Sequence, residues 1–319
     1  MESQHQTKVE EPTHITLIGA GTIGLSFAAL HLTKNPSAQI TLYDTRPDLP
    51  QYIDSHLPGY LLDADETQCR SRLTLATSLS SAVASADIVQ EQGPENPDFK
   101  THLWPQIERH APPHALFWSS TSGIPASVQG FHLSQAGKAR LTVVHPYNPP
   151  HIMPLLELVP SPSTSETTIT TTLSYWRALG RTPVHIRKES TGFVANRLAF
   201  ALFREACSLV AQGVISVEDL DAVVTSSMGP RWAVAGPFKA YYAGGGEGGL
   251  SAFMEKIGGT VQGCWDAGDE DVVREGIRVG GGKWLEDVCG QAEKAYGVVD
   301  VGERDDRTRA VLEAASGKK

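Results

Sequence analysis

The 319-residue chain is long enough to bury a full hydrophobic core and to form two domains of ordinary size. Hydrophobic residues make up 40% of it and charged residues 20%, as in globular proteins, and no apolar run approaches the roughly 18 residues of a membrane span. We therefore expect no membrane as partner, and because the formal net charge of -9 repels phosphate backbones we expect no nucleic acid either.

The cysteines and the chain termini bear on the compartment. Cys69, Cys207, Cys264 and Cys289 show no CxxC spacing and no histidine at metal-ligand intervals, so we predict reduced thiols and no metal site. The polar, acidic amino terminus does not have the pattern of a secretory signal, and the carboxyl terminus ASGKK is not a peroxisomal signal. We therefore expect a cytoplasmic protein.

Strand-like and helix-like segments alternate along the first 190 residues. HITLI at 14–18 predicts a strand, GAGTIG a glycine turn, LSFAALHLTK a helix, and ITLYD at 40–44 a second strand. Further strands are predicted at 86–91, 115–120, 139–145 and 154–159. This alternation predicts an α/β fold with a Rossmann-type, doubly wound and mostly parallel sheet.

The pattern changes near residue 190. GFVANRLAFALFREACSLVAQG has long helical periodicity, SVEDLDAVV opens with capping-box spacing, and no later segment indicates a strand. We predict a Rossmann-type domain at 1–190 and an all-α domain at 191–319.

The glycine turn carries the first functional signal. Gly19, Gly21 and Gly24 lie between a predicted strand and a predicted helix, and Asp44 ends the next strand 20 residues later. Glycines permit the tight turn and the close approach of a pyrophosphate, while Asp44 accepts hydrogen bonds from ribose hydroxyls and repels a 2'-phosphate. NAD is thus favoured over NADP, although Arg46 would tolerate that phosphate. The alternative is a turn without ligand. The predicted cofactor contacts in this region are Gly19, Gly21, Thr22, Ile23, Gly24 and Asp44.

Three later segments carry chemistry: STSG at 120–123, HPYNPP at 145–150 running on to PLLELVP at 154–160, and GFVANR at 192–197. With the glycine turn they resemble the 3-hydroxyacyl-CoA dehydrogenase family over nearly the whole chain, poorly at 45–85 and beyond about 265. From His145 through GPRWAVAGPF at 229–238 the chain is most similar to the L-gulonate 3-dehydrogenase (lambda-crystallin) branch, with L-carnitine dehydrogenase as a near relative.

The resemblance implies a catalytic pair, His145 and Glu157, with Ser122 and Asn196 beside the reacting oxygen. The chemistry agrees, because oxidation of a secondary alcohol needs a base for the hydroxyl proton and a buried carboxylate would fix the imidazole tautomer. Hydroxyl and amide groups can donate to the oxygen as negative charge develops. Taken singly, each of these residues also has a purely structural interpretation.

Two further roles come from the resemblance alone. Glu95 and Lys100 match residues that hold the nicotinamide-side ribose, the alternative being a surface charge pair at a helix start. The family likeness also implies a homodimer through the helical domain.

The substrate is predicted to be a small hydroxy acid rather than a coenzyme A ester. CoA phosphates need cations, and the interval between Asp44 and Glu95 contains three arginines and no lysine. Arg231 is a candidate for binding the substrate carboxylate, or else an interface arginine. The aromatic residues Trp232, Phe238, Tyr241 and Tyr242 either pack helices or form a cage for the quaternary ammonium of carnitine. True acyl-CoA dehydrogenase activity and a non-catalytic, crystallin-like NAD-binding role remain alternatives.

Overall fold

The computed structural model describes residues 13–61 and 64–316, and the chain divides into two compact units between Arg197 and Leu198. The predictions made for the amino terminus and for ASGKK concern residues that lie largely outside these ranges.

The first unit contains all eight strands found in the described part of the chain: β1 (His14–Ile18), β2 (Gln39–Tyr43), β3 (Leu73–Leu75), β4 (Ile88–Glu91), β5 (Leu116–Ser119), β6 (Leu141–Pro146), β7 (Leu155–Pro160) and β8 (Thr182–His185). Its helices are α1 (Thr22–Lys34), α2 (Leu49–His56), α3 (Pro58–Leu61), α4 (Glu66–Arg70), α5 (Leu79–Val83), α6 (Pro97–His110), α7 (Ala126–Gln129), α8 (Gln135–Arg140) and α9 (Glu166–Ala178).

The strands form one sheet in the order β3-β2-β1-β4-β5-β6-β7-β8, in which only β6 and β7 pair antiparallel. Its first six positions have the 3-2-1-4-5-6 order of dinucleotide-binding sheets, whose ligands bind at the carboxyl ends of the strands. The predicted mostly parallel, doubly wound sheet is confirmed. All six predicted strands are present; β3 and β8 are short and were not predicted from the sequence.

Both faces of the sheet are covered, because alternate residues of each central strand enter different cores. Ile88 and Trp118 belong to the core that includes α1 and α9, while Val89 and Phe117 belong to the core that includes α6. The carboxyl ends of the strands are therefore held in place by packing on both faces of the sheet. These strand ends carry the candidate site.

The second unit is helical, as predicted, and the helix α10 (Ala195–Ala211) spans the division. The remaining helices are α11 (Val217–Ser226), α12 (Met228–Val234), α13 (Pro237–Gly244), α14 (Gly249–Arg274), α15 (Lys283–Tyr296) and α16 (Val301–Ala315), with a 3-10 turn at Gly246–Gly248. Its buried apolar cluster contains only Cys207, Ile277 and Trp284. Across the described ranges, no helix is both long and apolar enough to span a membrane.

Candidate active site

The glycine turn after β1 is shaped by direct backbone contact. Gly19 has a φ of +103°, and a Cβ on Gly24 would lie 2.0 Å from the Gly19 carbonyl oxygen, so helix α1 can pack this closely only on glycine. A Cβ on Gly21, by contrast, would meet no atom within 4 Å. The turn therefore packs tightly against the protein at Gly24 and leaves open space at Gly21. A bound pyrophosphate requires such open space.

Asp44, after β2, lies beside this turn. Its two carboxylate oxygens accept hydrogen bonds from the backbone N–H groups of Ala20 (2.7 Å) and Arg46 (2.9 Å). These bonds fix the carboxylate and leave lone pairs for ribose hydroxyls. The Arg46 guanidinium stacks on Tyr52, with Cζ 3.4 Å from the ring centroid, and its Nε donates to Asp48 at 2.9 Å.

A cavity of about 510 Å³ opens at this end of the sheet. Its lining includes Gly19, Gly21, Asp44, Gln92 and Phe99. Gly21 is the N-cap of α1 and offers no side chain to the first turn, so the free N–H groups there remain available to an anion. An open glycine, an uncapped helix start and a fixed carboxylate fit an NAD molecule.

His145 and Glu157 lie directly opposite each other on the antiparallel strands β6 and β7. Facing residues in such a pair project from the same side of the sheet, and His145 Nδ1 is 2.8 Å from Glu157 Oε2. Both side chains are buried, 6% and 2% exposed. Phe193 packs against the imidazole, with ring centroids 5.3 Å apart.

The other oxygen of Glu157 holds the start of α10. Oε1 accepts hydrogen bonds from the N–H groups of Val194 and Ala195, both at 2.9 Å. Burial would raise the pKa of the Glu157 carboxyl, but the bonds from His145, Ala195 and Val194 outweigh it and hold the pKa below its ordinary value. Glu157 is therefore an anion that joins the histidine to the loop before α10.

The first turn of α10, which follows that loop, contacts the STSG segment. Asn196 Nδ2 donates to the Ser122 carbonyl oxygen at 3.3 Å, and the Ser122 side chain is exposed. Glu95 Oε1 accepts from Thr121 Oγ1 (2.6 Å) and from the N–H groups of Ser122 and Gly123 (3.1 and 3.0 Å). Glu95 thus anchors the loop that carries Ser122, a contact not predicted from the sequence; its ribose role stays a prediction.

Lys100 has an unexpected partner. Its ammonium is buried and donates to both oxygens of Glu91, at 2.8 and 2.7 Å, and Ser119 and the Gly93 N–H also bond to Glu91. Two of the three ammonium donors are therefore engaged, and the surface charge pair considered above is wrong, because Lys100 is only 1% exposed. The ribose contact of Lys100 stays a prediction.

Arg231 lies in α12 of the second unit, where its side chain is exposed and forms no ion pair with any described residue. The four aromatic residues suggested as an ammonium cage are 37% to 79% exposed. Their roles stay predictions.

The doubly wound sheet, the open glycine turn and the aspartate after β2 define a dinucleotide-binding protein. A family model described as "3-hydroxyacyl-CoA dehydrogenase, NAD binding domain" matches residues 14–190, and one described as the C-terminal domain matches residues 192–268. The chain belongs to the 3-hydroxyacyl-CoA dehydrogenase family, whose members act on CH–OH groups.

Individual relatives agree. A 3-hydroxyacyl-CoA dehydrogenase of Gibberella moniliformis is 36% identical over 264 residues, 81% of either protein. An L-carnitine dehydrogenase of Streptomyces griseus is 33% identical over 306 residues, covering 92% of this chain and 90% of that protein. The crystal structure of an NAD-dependent 5-formyl-3-hydroxy-2-methylpyridine 4-carboxylic acid 5-dehydrogenase, 26% identical, superposes with a TM-score of 0.75 over 96% of this chain and 99% of that one.

Proposed function

We propose that the protein interconverts a free 3-hydroxy acid and its 3-keto form, with His145 as base and acid. The observation that carries the proposal is the buried hydrogen bond between His145 Nδ1 and the Glu157 carboxylate. With Nδ1 committed to Glu157, Nε2 is the nitrogen that takes the hydroxyl proton during oxidation and returns it during reduction. Bound NAD supplies the hydride acceptor.

Glu157 supports this cycle electrostatically. A carboxylate that stays charged stabilises the imidazolium formed when His145 takes the proton. Asn196 and Ser122, joined by their own hydrogen bond, are the proposed donors to the substrate oxygen as it gains negative charge in ketone reduction. Because Glu157 also binds the N–H groups just before Asn196, one carboxylate orients both parts of the site.

The arginines between Asp44 and Glu95 support a free acid over a CoA ester. Arg46 is held by Asp48 and Tyr52, and Arg70 by Asp54 and Glu66. Arg72 donates to the backbone carbonyls of Leu32, Asn35 and Ala38. With all three guanidinium groups engaged internally, the described residues of this stretch offer no free lysine or arginine to the phosphates of CoA.

Among free acids we propose an L-gulonate-like polyhydroxy acid, with Arg231 as the candidate carboxylate ligand. L-carnitine is the second candidate, since the relative from Streptomyces griseus is an L-carnitine dehydrogenase. We further propose a homodimer formed through the helical unit, in the cytoplasm; the exposed apolar side chains of that unit and the four free cysteines support this.

An NAD-coupled screen tests the proposal with L-gulonate, L-carnitine, 3-hydroxybutyrate and 3-hydroxybutyryl-CoA. We expect turnover of a free acid, and His145→Ala to lower it about 10²- to 10⁴-fold while NAD affinity stays within about twofold. His185→Ala, which changes an exposed histidine on β8, the strand that pairs with β7, is the matched control. Turnover of the CoA ester alone would overturn the substrate class, and NAD binding without any turnover would favour the non-catalytic alternative.

A further inference from the structure

Gln92, the residue after β4, has a side-chain amide without partners. Neither Nε2 nor Oε1 has a hydrogen-bond partner among the described residues, and both atoms are closed to solvent. A buried amide in this state costs free energy, and a hydrogen bond to a bound ligand would remove that cost.

Gln92 lies beside the proposed NAD site, which is formed by the glycine turn and the start of α1. The backbone N–H of Gln92 donates to the Ile18 carbonyl at 2.8 Å, which fixes the residue beside the glycine turn. Its Oε1 lies 3.9 Å from the position that a Cβ on Gly24 would occupy, and the residue contributes to the lining of the 510 Å³ cavity. The unpartnered amide is thus next to the first turn of α1.

Two fully buried glutamines of the same unit show the contrast. Gln90, two residues earlier on β4, bonds to His31 (3.1 Å) and Ser120 (3.3 Å). Gln129 accepts from Trp104 at 3.0 Å and donates to the Ile124 carbonyl at 2.7 Å. The fold satisfies these amides and leaves the amide of Gln92, beside the first turn of α1, without a partner among the described residues.

We propose that Gln92 is a cofactor-binding residue whose amide turns into the cavity and donates from Nε2 to a phosphate oxygen of NAD. In this proposal the amide moves by rotation about the side-chain torsions, while the bond to the Ile18 carbonyl keeps the backbone in place. The amide adds a neutral donor to the free N–H groups of the helix start, and binding removes the desolvation penalty that the free protein carries. The inference rests on NAD binding by the first unit and is independent of the substrate.

The substitution Gln92→Met keeps the side-chain length and removes both polar atoms. It should therefore raise the stability of the NAD-free protein and lower its affinity for NAD. We expect the melting temperature of the NAD-free protein to rise by about 2 to 4 °C, because an unsatisfied buried group is lost. The dissociation constants of NAD and ADP-ribose, measured by calorimetry, should rise about tenfold. Adenosine, which carries no phosphate, should bind both proteins equally.

Gln129→Met is the matched control, because it removes a buried amide whose partners are present. It should lower the melting temperature and leave ADP-ribose affinity unchanged. An unchanged ADP-ribose affinity in Gln92→Met would overturn the proposal, and so would a lowered melting temperature or an equal loss of adenosine affinity. If Gln92→Met does not fold, Gln92→Glu keeps the shape and should lose ADP-ribose affinity through repulsion between its carboxylate and the phosphates; unchanged affinity would again overturn it.

Discussion

A single carboxylate connects the separate parts of the candidate site. Glu157 binds the imidazole of His145 through one oxygen and two backbone N–H groups at the start of α10 through the other. One oxygen of Glu157 thus fixes the tautomer of His145. The other fixes the backbone conformation at residues 194 and 195.

The substitution Glu157→Gln separates the effect on the histidine tautomer from the effect on the backbone. The amide oxygen can still accept the two backbone N–H bonds, but the amide NH₂ facing His145 forces Nδ1 to act as acceptor. The proton then resides on Nε2, which can no longer take one from the substrate. We expect kcat to fall about 10²- to 10⁴-fold, with NAD affinity unchanged, as measured by steady-state kinetics and calorimetry.

Glu189→Gln is the control for this change. Glu189 is a partly buried glutamate that also accepts a backbone N–H, that of Ser127 at 2.8 Å, without contacting His145. It should leave kcat within about twofold. If Glu157→Gln also kept kcat within about twofold of the native value, control of the His145 tautomer by the carboxylate would not be needed for turnover.

At the scale of elements, the junction between β1 and α1 has two glycines with different functions. Gly21→Ala adds a methyl group in open space, so we expect an unchanged melting temperature and an NAD dissociation constant raised about tenfold or more. Gly24→Ala sets a methyl group against the Gly19 carbonyl and should destabilise the fold by about 2 kcal/mol or more.

Thermal melts and NAD titrations of both variants check this difference. Equal destabilisation by the two substitutions would contradict the assignment of Gly21 to the ligand and Gly24 to helix packing.

Elements with local signals were predictable from the sequence. The run HITLI, the glycine spacing and Asp44 lie within 31 residues, and their meaning depends on neighbours in the chain. The facing of His145 and Glu157 follows from two consecutive strands. No comparable signal marks Glu91 as the partner of Lys100, since that ion pair depends on how α6 packs against the end of β4.

The turn before α10 shows the same limit. Phe193 adopts a left-handed backbone with a φ of +52°, rare for a bulky residue, and its ring is fully buried against His145. The motif GFVANR indicates a turn through its glycine, but the conformation of Phe193 depends on tertiary contacts. Such strain at a site is typical of residues that position catalytic groups.

At the scale of the whole molecule, the second unit leaves much apolar surface uncovered. On α10, Leu198, Phe200 and Phe203 are each more than 60% exposed, whereas few apolar residues of this unit are buried. We expect these side chains to lie in the proposed dimer interface. Sedimentation equilibrium should give a dimer, and Phe200→Asp with Phe203→Asp should shift it toward monomer; a monomeric native protein would contradict this.

The pH dependence of stability should depend on a buried histidine of α1 that has no proposed role in the reaction. His31 is fully buried between Tyr175 (2.8 Å) and Gln90 (3.1 Å), and burial, partly offset by the Gln90 hydrogen bond, lowers its pKa to about 4. The unfolded chain, with an ordinary histidine pKa near 6.5, binds a proton between these values while the folded protein does not.

The free energy of unfolding should therefore fall as the pH drops from about 6.5 to about 4, by about 3 kcal/mol from this residue alone. Glu157 adds a further loss as the pH falls below about 4.5, the ordinary value of its pKa, because the unfolded carboxyl then takes up a proton while the folded one, with its lowered pKa, stays charged. Urea unfolding at a series of pH values should show a shallower slope in this window for His31→Gln than for the native protein. His110→Gln, at an exposed position on α6, should retain the native slope, and an unchanged slope in His31→Gln would mean that the buried imidazole accepts a proton as readily as an exposed one.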